Sequence, residues 1–273
     1  MRRVFATATC EFRIAFRNRW VLIATGMMML FALVLAAAGS APTGDVGVDR
    51  LSVTVASLTS LAVYLVPLLA LLMSFDAVAG EVERGTLPLL LTYPVSRLEI
   101  LLGKLLAHLA ILALAVTLGY GAALVVAVWS DPAAIKGLGS LVRLIWSSVL
   151  LGATFLGAGY ALSALARRPS GAAGLAIAVW LVAVVLYDLA LLALIVTDGG
   201  GAFTTQALPV ALLANPADAF RVFNLSAAHA VAAAGGIGGA AGAIPLWQLA
   251  ASLFLWPLLA IALALAAFRK VTP

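Results

Sequence analysis

The sequence predicts an all-α integral membrane protein with six transmembrane helices, an N-terminal interfacial helix and a short transverse helix on the cytoplasmic side. Three observations predict it. First, 64% of the 273 residues are hydrophobic and only 10% are charged, against about 45–50% and about 25% in soluble domains. Second, the apolar residues fall into six runs of bilayer length. Third, the cations are distributed unequally between the two sets of connecting segments. The composition excludes an ordinary soluble domain, a disordered chain and a nucleic-acid-binding module. The net charge of +5, from 16 cations and 11 anions, reads as an orientation signal rather than a phosphate-binding surface. Cys10 is the single cysteine, so no internal disulfide or cysteine-cluster metal site can form. His108 and His229 lie far apart, and no metal site is expected.

The elements follow in order. Residues 1–19 carry Phe5, Phe12 and Phe16 near one helical face, with most arginines elsewhere, and predict a helix lying in the cytoplasmic interface. A span needs about 20 apolar residues to cross about 30 Å of hydrocarbon. Trp20–Ala38, Val53–Phe75, Lys104–Val128, Leu141–Leu165, Ala172–Val196 and Leu246–Phe268 meet that requirement. With the N-terminus inside, the inner segments hold Arg2, Arg3, Arg13, Arg17, Arg19, Arg84, Arg97, Lys104, Arg167, Arg168, Arg269 and Lys270. The outer segments hold Arg50, Lys136, Arg143 and Arg221. This asymmetry places both termini in the cytoplasm, and an even number of spans requires the same. The basic start of the chain does not read as a cleavable signal peptide.

The inner segment 76–103 carries the most local information. Gly85 permits a sharp turn, Thr86 is expected to cap a short helix, and Pro88 is tolerated in its first turn. Pro94 ends that helix. Ser96 and Glu99 form a capping box that starts the third span. A short helix across the cytoplasmic ends of two spans suits a lever for a soluble partner. Glu81, Glu83 and Arg84 are its polar candidates for coupling; Gly85, Thr86, Pro94 and Ser96 shape it.

At these residues the chain resembles a family. Glu81-x-Glu83-Arg84-Gly85-Thr86-Leu87, followed by Leu90-Leu91-Thr92-x-Pro94-Val95-Ser96-Arg97, is similar to the first inner loop of ABC-2-type transporter permeases. Arg17-Asn18-Arg19-Trp20 and the segment Asn215-Pro216-Ala217-Asp218-Ala219-Phe220-Arg221-Val222-Phe223-Asn224-Leu225 narrow the resemblance to the permeases that serve maturation of nitrous oxide reductase. The resemblance implies a single ABC-2 transmembrane domain of type V exporter-like architecture over residues 1–273, in the bacterial inner membrane. It implies a homodimer docked on cytoplasmic ABC ATPase subunits, which would bind ATP and Mg. It further implies a periplasmic β-helical subunit, a periplasmic copper chaperone and nitrous oxide reductase as partners, with assembly of a copper–sulfur centre as the task and export of a sulfur species as one route to it. Independently, no Gly-x-x-x-x-Gly-Lys-Ser/Thr sequence is present. ATP hydrolysis is therefore expected from another polypeptide, and the chain needs no cofactor of its own.

Other residues carry weaker signals. Asp188 lies inside the fifth span and must face protein or water; Arg143, near the outer start of the fourth, is its expected partner. Their functional reading is a latch or polar cavity, their plain reading a structural pair. Met27, Met28 and Met29 would suit Cu(I), but consecutive helical residues diverge by about 100°, so packing is the better reading. His108 reads as a satisfied packing histidine. Ser148/Gly152 and Gly159/Ser163 are small-x-x-x-small pairs that permit close helix approach. The outer segment 197–245 contains glycine runs at 199–201 and 235–239 and two apolar stretches, Ala207–Leu213 and Ala217–Ala234. Asn215, Pro216, Asp218, Phe220 and Arg221 are its candidates for periplasmic docking. A general exporter of small molecules or lipids, a non-transporting anchor for periplasmic partners, and a secondary transporter using Asp188 are the alternative readings.

Overall fold

A computed structural model describes residues 2–16, 19–38, 50–166, 168–226 and 244–271. Every regular element among them is helical. The N-terminal helix α1 (Arg2–Phe16) precedes α2 (Arg19–Ala38). Helix α3 (Arg50–Ser74) runs into the short α4 (Ala79–Glu83) and α5 (Thr86–Thr92). Next come α6 (Arg97–Ser130), a 3-10 turn (Pro132–Gly137) and α7 (Leu138–Leu165). Helices α8 (Pro169–Trp180) and α9 (Tyr187–Asp198) are joined by a π-helical turn over Leu181–Leu186 and form one continuous rod. After a second π turn (Phe203–Ala207), α10 (Leu208–Ala214) and α11 (Pro216–Leu225) form a hairpin, and α12 (Leu246–Arg269) returns to the first end.

Five helical stretches among the described residues are long and apolar enough to cross a membrane: Thr54–Glu83, Arg97–Ser130, Pro132–Leu165, Pro169–Asp198 and Leu246–Arg269. They coincide with five of the expected spans. Helix α2 has twenty residues and corresponds to the other; its described apolar stretch is Thr25–Ala37. The motif residues Arg17 and Asn18, together with Arg167, His229 and the glycine run at 235–239, lie outside the described residues. So does the far half of the expected helix Ala217–Ala234.

Helix α7 is the centre of the bundle, packed on α3, α6 and α12. Its small residues make that possible. A Cβ on Gly157 would lie 2.9 Å from the backbone carbon of Ala260, so the backbones of α7 and α12 meet where a side chain cannot fit. Gly152 and Gly159 likewise face Leu112 and Ser74. The small-residue pairs thus pack helices within one chain. The rod α8–α9 is by contrast the least buried of the five stretches. The π turn frees backbone groups; the Asn215 side-chain amide donates to the Ala183 carbonyl there at 2.7 Å.

The α10–α11 hairpin turns back into the bundle, at the end opposite α5. Asn215 caps α11 by accepting from the Ala217 N–H, with Pro216 in the first turn. Tyr187 donates its hydroxyl to the Ala211 carbonyl, and Ser252 and Trp256 both donate to the Leu213 carbonyl. Asn224 and Ser147 bond reciprocally between α11 and α7. This corrects the expectation of an outward docking face. Asn215, Pro216, Asp218 and Phe220 are buried and Arg221 is half-buried. The apolar face of α11 removes Ala219 and Phe220 wholly from solvent, and Asn224, Arg221 and Asp218 Oδ1 find partners inside.

Candidate functional site

The end carrying α4 and α5 is the most connected polar region. Its roots lie in the long helices. Ser163 of α7 accepts hydrogen bonds from the N–H groups of both Val78 and Ala79, each at 3.0 Å. One hydroxyl therefore supplies the start of α4 with an acceptor that its own residues lack. Gly85 then turns the chain with φ +67°, the left-handed region that only glycine adopts without strain. The cap of α5 differs from expectation. Gly85 occupies the cap position, and Thr86, as the first helical residue, turns its hydroxyl back to the Glu81 carbonyl at 3.3 Å. The left-handed turn takes the place that a capping hydroxyl would fill.

Leu87 anchors α5 in the core, while Leu89 and Tyr93, 64% and 65% exposed, project from it. Tyr93 is extended before Pro94 and ends the helix. Ser96 and Glu99 form the expected reciprocal capping box, with Ser96 N–H to Glu99 Oε2 at 2.8 Å and Glu99 N–H to Ser96 Oγ at 3.2 Å. Arg97 donates to the carbonyls of Phe268 and Val271 at 2.5 and 2.7 Å and lies over the Phe268 ring. It satisfies carbonyls at the C-terminal end of α12, where a cation is also favoured by the helix dipole.

The three acidic and basic candidates of this segment separate. Glu83 and Arg84 are exposed, Arg84 bonding Asp76 at 3.1 Å near the surface. Glu81 is buried. Its Oε1 meets the ammonium of Lys104 at 2.7 Å, and that ammonium also meets Glu11 Oε1 of α1 at 2.6 Å. The Lys104 side chain is 5% exposed, Glu11 17% and Glu81 11%. One cation therefore joins three elements: α1, α4 and α6. Around it, Gly103 lies against Thr7, and Phe12 and Met73 pack on Ile111. Phe5 and Phe16 remain exposed and Phe12 is turned inward, with Phe12 and Phe16 stacked at 5.8 Å. One turn along α6, His108 Nδ1 bonds the Tyr160 hydroxyl at 2.5 Å, the satisfied packing histidine that was expected.

The sequence offered Lys104 only as an orientation cation and Ser163 only as part of a small-residue packing pair, and Glu11 not at all, as members of this polar region. The available signal for Lys104 was a cation two turns inside a helix whose start is fixed by the Ser96–Glu99 box. A lysine there must find anions. Nothing local pointed to Ser163.

At the opposite end the expected Asp188–Arg143 pair is replaced by another. Arg221 of α11 clamps Asp188 of α9 through two bonds, 2.7 and 2.6 Å, and reaches Asp218 at 3.3 Å. Arg143 lies instead over the Phe223 ring, 5.7 Å from its centre. The hairpin brings α11 against α9 and sets its guanidinium opposite the carboxylate, a fork geometry that favours bidentate pairing. Burial, with the neighbouring Asp188 charge adding to it, pushes the Asp218 carboxyl up to about 7, although Arg221 opposes the rise. Of the methionines, Met28 faces the core and Met27 and Met29 point outward, so the three diverge. Cys10 is exposed on α1.

A bundle of membrane-length helices, with the short α4 and α5 tied at one end to α1, α6 and α7, is the architecture of a multi-pass membrane protein. The match agrees. Residues 5–271 fit the family model described as ABC-2 family transporter protein, and the chain belongs to that family. It is a permease of an ABC transporter, a class that works with ATPase subunits. It is 45% identical over 274 residues to the probable ABC transporter permease protein NosY of Pseudomonas aeruginosa, with 98% of each chain covered. To the protein of the same name from Stutzerimonas stutzeri it is 42% identical, with 99% of each chain covered.

Proposed function

We propose that this chain is the permease of an ABC transporter required for maturation of nitrous oxide reductase, and that it passes ATP-driven motion across the bacterial inner membrane to assembly of the copper–sulfur centre. The chain forms a homodimer of six-span subunits, α2 being the first span, with both termini in the cytoplasm. ATPase subunits bind at α5, where Leu89 and Tyr93 project and Glu83 and Arg84 flank the turn. The observation that carries the reading is the Lys104 junction. A push on α5 is transmitted through α4 to Glu81 and Lys104, and from there both to α6 and, through Glu11, to α1. The Ser163 cap passes the same motion to α7. Periplasmic partners are the β-helical subunit, the copper chaperone and the reductase, served by mechanical gating or by export of a sulfur species.

The test is complementation of a strain lacking this permease. The wild-type chain is expected to restore copper content and activity of the reductase. Glu83→Ala with Arg84→Ala, at matched membrane levels, is expected to weaken ATPase association or to leave hydrolysis uncoupled from maturation. Full reductase loading without the permease would refute the assignment; full ATPase binding and full loading by the double variant would refute the coupling role.

A further inference from the structure

The α10–α11 hairpin is tied to α9 by one charged cluster, and that cluster is short of a donor. Arg221 gives two bonds to Asp188 and one to Asp218 Oδ1. The two carboxyls also lie within hydrogen-bonding reach of each other. Ionised carboxyl oxygens only accept, so two carboxylates in contact repel and have nothing to share. The second Asp218 oxygen, Oδ2, is sealed from water and has no hydrogen-bond partner among the described residues. With both acids ionised the cluster carries one net negative charge in a place where charge is costly. One proton on the pair removes both faults. It makes the cluster neutral and turns one carboxyl into a donor for the other.

The surrounding elements bring nothing else that could take this part. Tyr64 of α3 and Tyr187 of α9 are neutral below about pH 10, and Tyr187 donates its proton to the Ala211 carbonyl. Arg143 of α7 lies over the Phe223 ring. Helices α10 and α12 present no titratable group to the cluster. The remaining ties of the hairpin, Asn215 to Ala183, Ser252 and Trp256 to Leu213, and Asn224 to Ser147, join neutral groups. Exchange with solvent has one port. The Asp188 side chain is 27% exposed against 4% for Asp218, and it lines a cavity of about 310 Å³ beside the cluster.

We propose that Asp188 and Asp218 share one proton and that this proton latches the α10–α11 hairpin onto α9. When it leaves for solvent through Asp188, two carboxylates face each other on one guanidinium, and the hairpin undocks until Asp218 meets water. The latch needs neither ATPase nor reductase, so it stands or falls separately from the maturation role.

The experiment is amide hydrogen exchange of the full-length permease in nanodiscs as a function of pH, with rates divided by the intrinsic rate at each pH and α7 as internal reference. Helices α10 and α11 have seven and ten residues, too few to persist as helices once undocked, so undocking is read directly as lost protection. Opening that releases one proton should lower their protection by up to about tenfold per pH unit between about pH 5 and 7, levelling off above, while α7 stays constant. Infrared difference spectra over the same range should show an acid carbonyl band that titrates with the loss of protection and shifts in heavy water. Asp218→Asn and Asp188→Asn each replace the shared proton by an amide N–H. Either variant is expected to keep the hairpin protected at every pH and to remove the band. Protection in the wild-type hairpin that does not change with pH, the same fall in both variants, or an acid band that both variants retain overturns the proposal.

Discussion

Replacing Lys104 by methionine is the sharpest perturbation of the junction. At 2.6–2.7 Å each carboxylate attracts the ammonium by about 6 kcal/mol at an effective dielectric constant of about 20. Against this stands the loss of hydration of three ions, several kcal/mol for each. The assembled cluster is therefore close to neutral in stability, but its parts are not. Methionine leaves Glu11 and Glu81 buried side by side without a cation, and breaking a buried pair in this way costs about 3–5 kcal/mol. The triple variant Lys104→Met, Glu11→Leu, Glu81→Leu removes all three charges together and is expected to return to within about 1–2 kcal/mol of wild type, since apolar replacements of buried ion clusters are often neutral or better. Denaturant titration of the detergent-solubilised chain, followed by its tryptophan fluorescence, measures both. The triple variant should remain folded and yet lose the tie between α1, α4 and α6, so ATP hydrolysis by the assembled complex should no longer depend on the permease state. A loss below about 1 kcal/mol for the single variant, or a triple variant as unstable as the single one, would refute the reasoning.

Two further perturbations follow from the packing and the far cluster. Gly157→Val places a branched side chain against the Ala260 backbone and should destabilise the chain by about 1–3 kcal/mol through overpacking, read in the same titration, whereas Gly171→Val, where a Cβ meets open space, should cost far less. Asp218, held near 7 against an ordinary value of 3.8, binds its proton more tightly folded than unfolded. Its contribution is therefore full below about pH 4 and lost as pH rises through about 7, a fall of up to about 4 kcal/mol. Asp218→Asn should flatten that part of the stability–pH profile between pH 5 and 8, and an unchanged slope would count against the buried carboxyl as its source.

The features legible in the sequence share one property: their causes are local. Apolar runs gave the positions of five membrane-length helices because hydropathy and helical rise are summed over neighbours. The Gly85 turn, the stop before Pro94 and the Ser96–Glu99 box each involve groups within three or four residues, and each stands where the pattern put it. Thr86 shows the limit even locally. A threonine before a helix reads as a cap, but the left-handed glycine beside it had already taken that position.

What the tertiary structure decided is the choice of partner. Asp188 inside an apolar run required a cation, and Arg143 and Arg221 were equal in that respect until the α10–α11 hairpin folded inward and delivered Arg221, 33 residues away, to the carboxylate. The same burial turned Asn215, Asp218 and Phe220 from an outer surface into interior contacts. Lys104 found Glu11 across 93 residues and Glu81 across 23, and the start of α4 found Ser163 across 85. Hydrocarbon makes the need for a partner visible in the sequence, because an unpaired polar group there is costly wherever it lies. Which residue meets the need depends on how helices pack in three dimensions, and small residues such as Gly157, whose importance lies in the backbone they admit, set that packing without declaring their neighbour.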